Sequence, residues 1–518
     1  MGQLISLAIL CGGLGIGGGF LGGCGSTAVG GDDDDDDDTD GPVDAGPVME
    51  VDSTRPALDE MRVDGDLPII VEFSDPVRAS SVSEETFAVS GPFGPVHGGY
   101  DIQGDTVTFT PAAPFYLLGD YTVTITTELT SQAGGSLADD FQMAFRVADG
   151  DWSGRIDLAE EVGQFLDVAR NRRGDMVLPF TTAGPTGSIK AVVFDAAQRT
   201  FSLPQQLEAD DQSFGAARAA IDEDGDAVVA WSSAAAPGTR GWVRRTDGAW
   251  NAPTLEAGAV GQLGLTAGGT AVMASNADPG PATMIETLAP AADAWTAPET
   301  AIAGATVEGI LHSGDRVEIV AYDSVSERLV ARGFVEGSGL AATQHLSAAG
   351  VTVDAVNLQY LPGEDLAATW VQEGSQIWHA RFDGASDTWS SDLLASGVLG
   401  SAVCANDDGE RLAAYISGGA IYAAHAEPGH GFSEPQALGS PAGMEYARCT
   451  IDQLGNGVLV WARAGGKSFR ARFAGGAFSD AAELGDGPTV IQALAEQATG
   501  HARVIFYNGE KLTALAFE

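Results

Sequence analysis

The chain has 518 residues, of which 26 are lysine or arginine and 72 are aspartate or glutamate, for a formal net charge of −46. A surface of this sign repels nucleic acid phosphates, so we expect no nucleic acid partner. The length leaves room for several domains or for one long all-β domain, so length alone decides little about the fold.

The N-terminal segment predicts export and a lipid anchor. Residues 1–24 carry no charged side chain, are mostly apolar or glycine, and end in Leu21-Gly22-Gly23-Cys24. This segment resembles a bacterial lipoprotein signal peptide with its lipobox, although no basic residue precedes the apolar stretch. The resemblance implies that Cys24 carries the lipid and that Gly25 sends the protein to the outer membrane. The alternative is an uncleaved membrane anchor, which the many helix-breaking glycines disfavour.

Residues 25–49 are predicted to form a disordered tether. They contain seven consecutive aspartates, Asp32 to Asp38, whose mutual repulsion keeps a chain extended. Such a run binds calcium only weakly without a shaped loop, so calcium is the lesser alternative and we expect no cofactor.

Residues 50–149 predict a small β-sandwich. Short runs rich in β-branched and aromatic residues alternate with turns, as in Ile69 to Phe73 and Tyr121 to Ile125. Four ordered motifs carry a resemblance to the SbsA-type bacterial Ig-like domain of surface proteins: Phe73-Ser-Asp-Pro-Val77, Val107-Thr-Phe-Thr-Pro111, Tyr121-Thr-Val123 and Gly134-Gly-Ser-Leu-Ala138. The resemblance implies a spacer or adhesion module without catalytic residues.

Residues 150–518 contain a repeat marked by two features. A Gly-containing turn between two β-like runs recurs 44 to 51 residues apart, a period typical of four-stranded propeller blades. These turns are at Gly174, Gly225, Gly269, Gly314, Gly363, Gly409, Gly455 and Gly500. An aromatic or apolar residue opens a short closing segment at Trp152, Phe201, Trp250, Trp295, Leu340, Trp389, Phe432 and Phe478. We therefore predict an eight-bladed β-propeller, or a seven-bladed one if the degraded unit at residues 305–347 is not a blade.

The order of these markers predicts how the ring closes. The last unit begins near Val490 and stops after three strand-like runs, without a closing segment. The first closing segment, Trp152 to Glu160, stands before the first complete unit. We expect this N-terminal segment to add the missing strand to the last blade, because closure removes the exposed sheet edges.

Aromatic and arginine side chains of the third strands are candidates for a ligand rim. The second-strand residues Trp231, Trp370 and Trp461 share one phase and are interpreted as core. The third-strand residues either pack between blades or face a ligand, and the arginines either pair with nearby carboxylates or bind an acidic group. The candidate rim consists of Trp242, Arg244, Trp378, Arg381, Tyr422, Phe469 and Arg470.

The remaining chemistry is sparse. Cys404 and Cys449 occupy matching places in adjacent units, so they are either a disulfide or two packed thiols. The closest histidines, His425 and His430, lack further ligands for zinc, and Asp222 to Asp226 is interpreted as a hairpin turn rather than a calcium loop. We find no catalytic motif and expect no metal site.

These features predict an exported, lipid-anchored, monomeric protein of the bacterial outer membrane or cell surface. Its expected role is non-catalytic binding or adhesion, with the Ig-like spacer presenting the propeller to a protein or glycan ligand. Two alternatives stay open: a glycoside hydrolase or lyase that gathers carboxylates at the propeller axis, and a purely structural envelope protein. Two close carboxylates with raised pKa favour the enzyme, whereas a rim of arginine and aromatic residues favours binding.

Overall fold

The computed structural model describes most of the chain from Val48 onward. The described ranges are residues 48–184, 187–208, 214–233, 238–278, 280–360, 366–396, 399–417, 420–439, 444–463, 467–484, 490–496 and 499–518. The expectations for Cys24, Gly25, the signal segment, the aspartate run and Gly363 lie outside these residues. In the described part of the chain the fold is all-β, with one short 3-10 helix at Ala79–Ser81. No helix there is long and apolar enough to cross a membrane.

The first described segment forms a β-sandwich of two sheets. One sheet has the strand order β1-β3-β7-β6 and the other the order β2-β9-β8-β4-β5. The strands are β1 (Val51–Arg55), β2 (Glu60–Val63), β3 (Ile69–Phe73), β4 (Phe87–Gly91), β5 (Gly94–Pro95), β6 (Gly98–Gln103), β7 (Thr106–Pro111), β8 (Asp120–Ile125) and β9 (Phe141–Val147). Alternation of side chains explains the core: Ile69, Val71 and Phe73 of β3 are buried, whereas the intervening Glu72 is exposed.

The described residues after the sandwich form eight further sheets, which we number as blades 1 to 8 in chain order of their first strands. Blade 8 takes its outer strand from the start of this region, β10 (Ile156–Ala159). Blade 1 contains β11 (Val162–Phe165), β12 (Ala169–Arg170), β13 (Met176–Thr182), β14 (Ile189–Asp195), β15 (Thr200–Phe201) and β16 (Gln205–Glu208). Blade 2 contains β17 (Phe214–Ile221), β18 (Ala227–Ser233), β19 (Thr239–Thr246), β20 (Ala249–Trp250) and β21 (Thr254–Ala257).

Blades 3 and 4 follow the same antiparallel order from first to last strand. Blade 3 contains β22 (Gln262–Leu265), β23 (Ala271–Asn276), β24 (Ala282–Leu288) and β25 (Glu299–Ala303). Blade 4 contains β26 (Ala305–Ser313), β27 (Arg316–Asp323), β28 (Arg328–Val335), β29 (Gly339–Leu340) and β30 (Gln344–His345). The unit with the degraded closing segment thus forms a sheet of its own.

Blades 5 to 8 complete the region. Blade 5 contains β31 (Val353–Tyr360), β32 (Leu366–Gln372), β33 (Gln376–Asp383) and β34 (Thr388–Ser396). Blade 6 contains β35 (Leu399–Ala405), β36 (Arg411–Ser417), β37 (Ala420–Ala426) and β38 (Gln436–Ala437). Blade 7 contains β39 (Met444–Ile451), β40 (Gly457–Arg463), β41 (Ser468–Ala474), β42 (Ala477–Phe478) and β43 (Ala482–Glu483). Blade 8 contains β44 (Val490–Glu496), β45 (Ala502–Tyr507) and β46 (Leu512–Phe517), together with β10.

The two ends of this region meet in one sheet, as predicted. Strand β10 pairs antiparallel with β46, with Ile156 opposite Ala514 and Asp157 opposite Thr513. The pairing continues outside the named strands, because the Asp151 N–H donates to the Glu518 carbonyl oxygen at 2.7 Å. Trp152 forms a bridge with Phe517. The all-β fold, with its sandwich and a ring closed by an N-terminal strand, is therefore confirmed.

The blades pack through their first strands and through buried apolar side chains between neighbouring sheets. First strands of successive blades lie side by side from β12 of blade 1 to β31 of blade 5 and from β35 of blade 6 to β44 of blade 8, and β35 lies beside β32, the second strand of blade 5. One hydrophobic cluster joins Leu178 of blade 1 to Ile505 of blade 8. Because blade 8 contacts both blade 7 and blade 1, the sheets surround a central channel bordered by their first strands.

Candidate functional site

The predicted rim aromatics pack against their own or neighbouring blades. Trp242 is buried together with Leu263 and Met273 of blade 3. In blades 5, 6 and 7 the third-strand aromatic stacks on the residue directly opposite in the second strand. These pairs are Trp370 with Trp378, Tyr415 with Tyr422, and Trp461 with Phe469, at ring distances of 6.3, 5.9 and 5.8 Å. Trp231, Trp370 and Trp461 are buried in the core.

The predicted rim arginines connect one blade to the next. Arg244 of blade 2 donates to the Gly269 carbonyl oxygen of blade 3 at 2.5 Å, and Arg381 of blade 5 donates to the Asp407 carbonyl oxygen of blade 6 at 2.6 Å. Arg470 lies over the ring of Trp152 at 5.3 Å. The seven candidates thus lie on third strands of blades 2, 5, 6 and 7, and the structure does not gather them at one surface.

The two cysteines outside the N-terminal segment are joined. Cys404 of β35 and Cys449 of β39 form a disulfide with a Cα–Cα distance of 5.7 Å. The bond connects the first strands of blades 6 and 7. In the described residues there is no group of three or more His, Cys, Asp or Glu side chains that could hold a metal ion.

The sandwich rests directly on one face of the propeller. The Leu117 N–H donates to the Thr499 carbonyl oxygen at 2.9 Å, and the Tyr116 hydroxyl donates to Gln453 Oε1 at 2.8 Å. An ion pair joins Asp149 to Arg472 at 2.8 Å. The buried residues of the sandwich and those between blades 7 and 8 form one continuous hydrophobic cluster. The sandwich is therefore fixed to the propeller instead of extending away from it as a separate spacer.

This docking leaves a cleft between the sandwich and blades 1 and 2, with a volume of about 910 Å³. We call it the interdomain cleft. Its sandwich wall is the part of the loop after β7 that ends at Tyr116. Its propeller wall consists of hairpin turns of blades 1 and 2. The residues of the interdomain cleft are Ala112, Ala113, Pro114, Tyr116, Arg172, Arg173, Asp175, Val193, Phe194, Asp195, Ala196, Ala197, Ile221, Asp224, Gly225, Asp226, Arg245, Asp247, Gly248 and Thr499.

The propeller wall is rigid because each first hairpin turn is tied by a side chain at its first position. Asn171 Oδ1 accepts the Asp175 N–H at 2.9 Å, and Asp222 Oδ1 accepts the Asp226 N–H at 2.9 Å. Gly225 has a φ of 85°, a conformation that glycine adopts without steric cost. This local chemistry explains why an Asn or Asp followed three residues later by glycine marks the turns in the sequence.

The turns also connect neighbouring blades, and one of them contains an aspartate with a raised pKa. Asn171 Nδ2 donates to the Asp222 carbonyl oxygen at 2.8 Å, which joins blade 1 to blade 2. Burial raises the pKa of Asp222 to about 6, and the charges of Asp226 and Asp224 add to the shift while the N–H groups of those residues oppose it. The raised pKa brings the titration of Asp222, at the first position of the blade 2 turn, close to neutral pH.

The central channel contains a second set of ionisable groups. A cavity of about 260 Å³ is bordered by the first strands of blades 1 to 5 and includes Asp167, Glu308 and His312. Burial raises the pKa of Asp167, although the Ala219 N–H at 3.0 Å lowers it, and burial also raises the pKa of Glu308. Burial lowers the pKa of His312 to about 3, so this imidazole is neutral at physiological pH.

No sequence pattern pointed to the interdomain cleft. Arg172 and Arg173 lie in the first turn of blade 1 and Arg245 lies near the end of β19, but no periodic pattern shows which of these positions the sandwich covers. The available signal is local: Arg172 and Arg173 occupy the first turn of blade 1, within a strongly acidic chain.

Comparison with known proteins gives a family match for the sandwich. Residues 44–147 match the family model described as bacterial Ig-like domain. In a search of curated proteins, nothing matches the chain.

Several solved structures resemble the chain at low identity. The Dos1 propeller is 10% identical, with 71% of this chain and 95% of that chain covered and a TM-score of 0.45. The β-propeller domain of the Trilobed protease from Pyrococcus furiosus is 9% identical, with coverages of 63% and 99% and a TM-score of 0.38. AofleA from Arthrobotrys oligospora is 9% identical, with coverages of 69% and 92% and a TM-score of 0.32. Likenesses at this level identify no function. The chain thus combines a bacterial Ig-like domain at residues 44–147 with a β-propeller.

Proposed function

We propose that the protein is a non-catalytic binding module of the bacterial surface and that its ligand occupies the interdomain cleft. The observation that carries this proposal is the cleft itself, about 910 Å³ in volume and lined by Arg172, Arg173, Arg245 and Tyr116. Ligand sites are commonly concave, about 300–1,000 Å³ in volume, and placed where domains meet. Arginine and aromatic side chains supply directional hydrogen bonds and flat contact area.

The surface location belongs to the same proposal. Export is supported by the bacterial Ig-like domain, and lipid attachment at Cys24 and outer-membrane placement rest on the lipobox-like sequence. In the same way, the SbsA-type identity of the sandwich rests on its four sequence motifs. With the sandwich packed on the propeller, adhesion through the Ig-like domain and binding in the cleft involve one compact unit.

A steric block of the cleft tests the proposal. Ala113 is an exposed residue of the sandwich wall, so Ala113→Trp fills the cleft without removing a charged or aromatic side chain. The full-length protein is screened against immobilised cell-envelope polysaccharides and envelope proteins. We expect binding that Ala113→Trp weakens at least about tenfold, equivalent to about 1.4 kcal/mol.

The matched control is Ala348→Trp, which places the same ring at an exposed alanine outside the cleft lining. It should leave binding unchanged. Equal binding by Ala113→Trp and the control contradicts a site in the cleft, and a silent screen accompanied by glycoside turnover contradicts the binding role.

One observation favours a second candidate function. Asp167 and Glu308 border the same channel cavity, and burial raises both pKa values, as a general acid in glycoside cleavage requires. If the protein is a glycan-processing enzyme, Asp167→Asn and Glu308→Gln will each abolish turnover, while Ala113→Trp will not. Asp167 also accepts a hydrogen bond from the Ala219 N–H of blade 2, which gives it a structural role that we favour.

A further inference from the structure

Carboxylates outnumber guanidinium groups in the lining of the interdomain cleft, so the cleft is not a cationic surface. The described lining residues include three arginines and five aspartates. Arg173 Nη2 lies 3.1 Å from Asp175 Oδ2, and Arg245 Nη1 donates to the Gly225 carbonyl oxygen at 2.6 Å. Arginine and aspartate side chains in one cleft offer hydrogen-bond donors and acceptors close together, and the excess of carboxylates repels an anionic ligand. A polyanion therefore gains little here, in a chain whose net charge is −46.

The backbone of the cleft wall is largely committed to the turns. The Asn171 N–H donates to the Asp175 carbonyl oxygen at 3.1 Å, and the Asp222 N–H donates to the Asp226 carbonyl oxygen at 2.9 Å. The Gly225 N–H donates to the Asp222 carbonyl oxygen at 3.2 Å. An extended peptide that binds by adding a strand needs an open row of such groups. The wall instead presents side chains, which suit a ligand recognised through hydroxyl groups.

An aromatic pair, the half-buried Tyr116 and the exposed Phe93, lies on the sandwich side of the cleft. Tyr116 lines the cleft, and the ring of Phe93 lies 5.0 Å from the ring of Tyr116. Phe93 is 53% exposed although it is a large apolar residue, and it sits in the hairpin between β4 and β5. The Tyr116 hydroxyl is held by Gln453, so this ring is fixed in position. The pair therefore offers an apolar platform next to polar side chains.

We propose that the interdomain cleft binds a neutral saccharide chain, with a sugar ring stacked on the Phe93–Tyr116 pair and its hydroxyl groups bonded to the arginine and aspartate side chains of the turns. This inference rests on the proposed function and names the ligand class of that site. Pyranose rings combine an apolar face with a rim of hydroxyl groups. The Phe93–Tyr116 platform matches the apolar face, and the arginine and aspartate side chains match the hydroxyl groups.

The test uses hexasaccharides that differ in charge, titrated calorimetrically into the full-length protein. The neutral probes are cellohexaose and chitohexaose, the cationic probe is the chitosan hexamer, and the anionic probe is the galacturonic acid hexamer. We expect a neutral hexamer to bind, with a Kd that changes less than about twofold when the NaCl concentration rises from about 0.05 M to about 0.5 M.

Two variants locate the bound sugar. Phe93→Ala should weaken the binding of the neutral hexamer about three- to tenfold, because one stacking contact is lost. Leu393→Ala removes an equally exposed apolar residue of blade 5, far from the cleft in the fold, and should leave the Kd unchanged. Thermal unfolding of both variants verifies that the fold is retained.

The outcomes separate the inference from the proposed function. Neutral binding that is equal in Phe93→Ala and the wild-type protein overturns the inference, as does the absence of binding by both neutral hexamers. Binding of only the cationic or anionic hexamer, or of an envelope protein blocked by Ala113→Trp, overturns the assignment of a neutral saccharide but leaves the binding role of the cleft standing. Failure of every probe and of the envelope screen overturns both.

Discussion

Two joints of the propeller hold neighbouring blades together by different means. At the terminal seam, defined by the pairing of β10 with β46, the contacts are hydrogen bonds, the ring contact of Trp152 with Phe517 and the apolar packing of blade 8. At the disulfide joint, defined by blades 6 and 7, Cys404 and Cys449 add a covalent bond between first strands. The seam joins residues more than 350 positions apart, whereas the disulfide spans 45.

This difference shows where the ring is hardest to close. Closing a loop costs more entropy as the loop lengthens, so the seam has the larger entropic cost of closure of the two joints. The sandwich offsets part of this entropic cost, because its core is continuous with the apolar residues of blades 7 and 8. Arg199 of blade 1 adds a further tie by pairing with both Asp66 of the sandwich and Glu518 at the seam.

Breaking the seam should have the largest effect. Replacing residues 151–160 by a Gly-Ser linker of equal length removes β10 but keeps the connection to the sandwich. The edge of β46 is then exposed, so we expect oligomers in size-exclusion chromatography and loss of a single cooperative unfolding transition. A monomer that unfolds at the wild-type temperature contradicts closure by this segment.

Opening the disulfide joint should cost less. The double variant Cys404→Ser and Cys449→Ser frees a closed segment of 45 residues, which lowers the free energy of unfolding by about 2–4 kcal/mol. Urea unfolding measures the loss. The folded variant should remain monomeric, because the strands of blades 6 and 7 stay paired. Equal stability of the wild-type protein with and without a reducing agent excludes a contribution from the bond.

A change at the same joint should raise stability at neutral pH. Asp452 begins the first turn of blade 7, and its carbonyl oxygen accepts a hydrogen bond from Asn406 of blade 6 at 3.0 Å. Burial raises the pKa of Asp452 to about 6, so the folded state holds the proton more tightly than the unfolded state. Its contribution to stability is complete below about pH 4 and is lost as the pH rises through about 6.

Asp452→Asn should therefore match the wild-type stability near pH 4 and exceed it by about 2–3 kcal/mol at pH 7. Asn406 shows that asparagine fits this position, since its Oδ1 accepts the Glu410 N–H at 2.9 Å as Asp452 Oδ1 accepts the Asn456 N–H at 2.8 Å. Urea unfolding at both pH values measures the difference. Exposed Asp101→Asn is the control, and a difference that does not grow with pH rules out this account.

The smallest effect concerns the contact of the sandwich with blade 7. Arg472 pairs with Asp149 at 2.8 Å and lies 4.8 Å from the ring centre of Phe517. Arg472→Gln should lower the free energy of unfolding by about 1 kcal/mol, because this pair is largely shielded from water. The exposed pair of Lys467 with Glu483 provides the control, and Lys467→Gln should cost about 0–0.5 kcal/mol. Equal losses of unfolding free energy in Arg472→Gln and Lys467→Gln would mean that shielding from water adds nothing to the strength of the ion pair.

The fold was readable from the sequence wherever the signal is local and repeated. Strand β3 occupies the predicted positions Ile69 to Phe73, and β8 contains the predicted run Tyr121 to Ile125. The closing strand followed from the order of the markers.

The candidate site was not readable because it depends on contacts without a repeat. Leu117 and Thr499 meet across the cleft-forming interface although 382 positions separate them, and neither belongs to a motif. For the third-strand aromatics, position in the strand does not distinguish a ring that faces a ligand from one that stacks on its neighbour, as Trp378 does on Trp370. Likewise, the fixed position of the sandwich follows from a shared core that only the folded chain displays.

The most direct measurement asks whether Asp157 and Thr513 are opposite one another. These residues form a register pair of the seam, so Asp157→Cys combined with Thr513→Cys places two thiols within disulfide distance. Mild oxidation followed by proteolysis and mass spectrometry should give a high yield of the crosslinked peptides. The combination of Asp157→Cys with Ala516→Cys, three residues out of register, should give little. Equal yields from the two combinations, or none from the first, would contradict a ring closed by its own N-terminal strand.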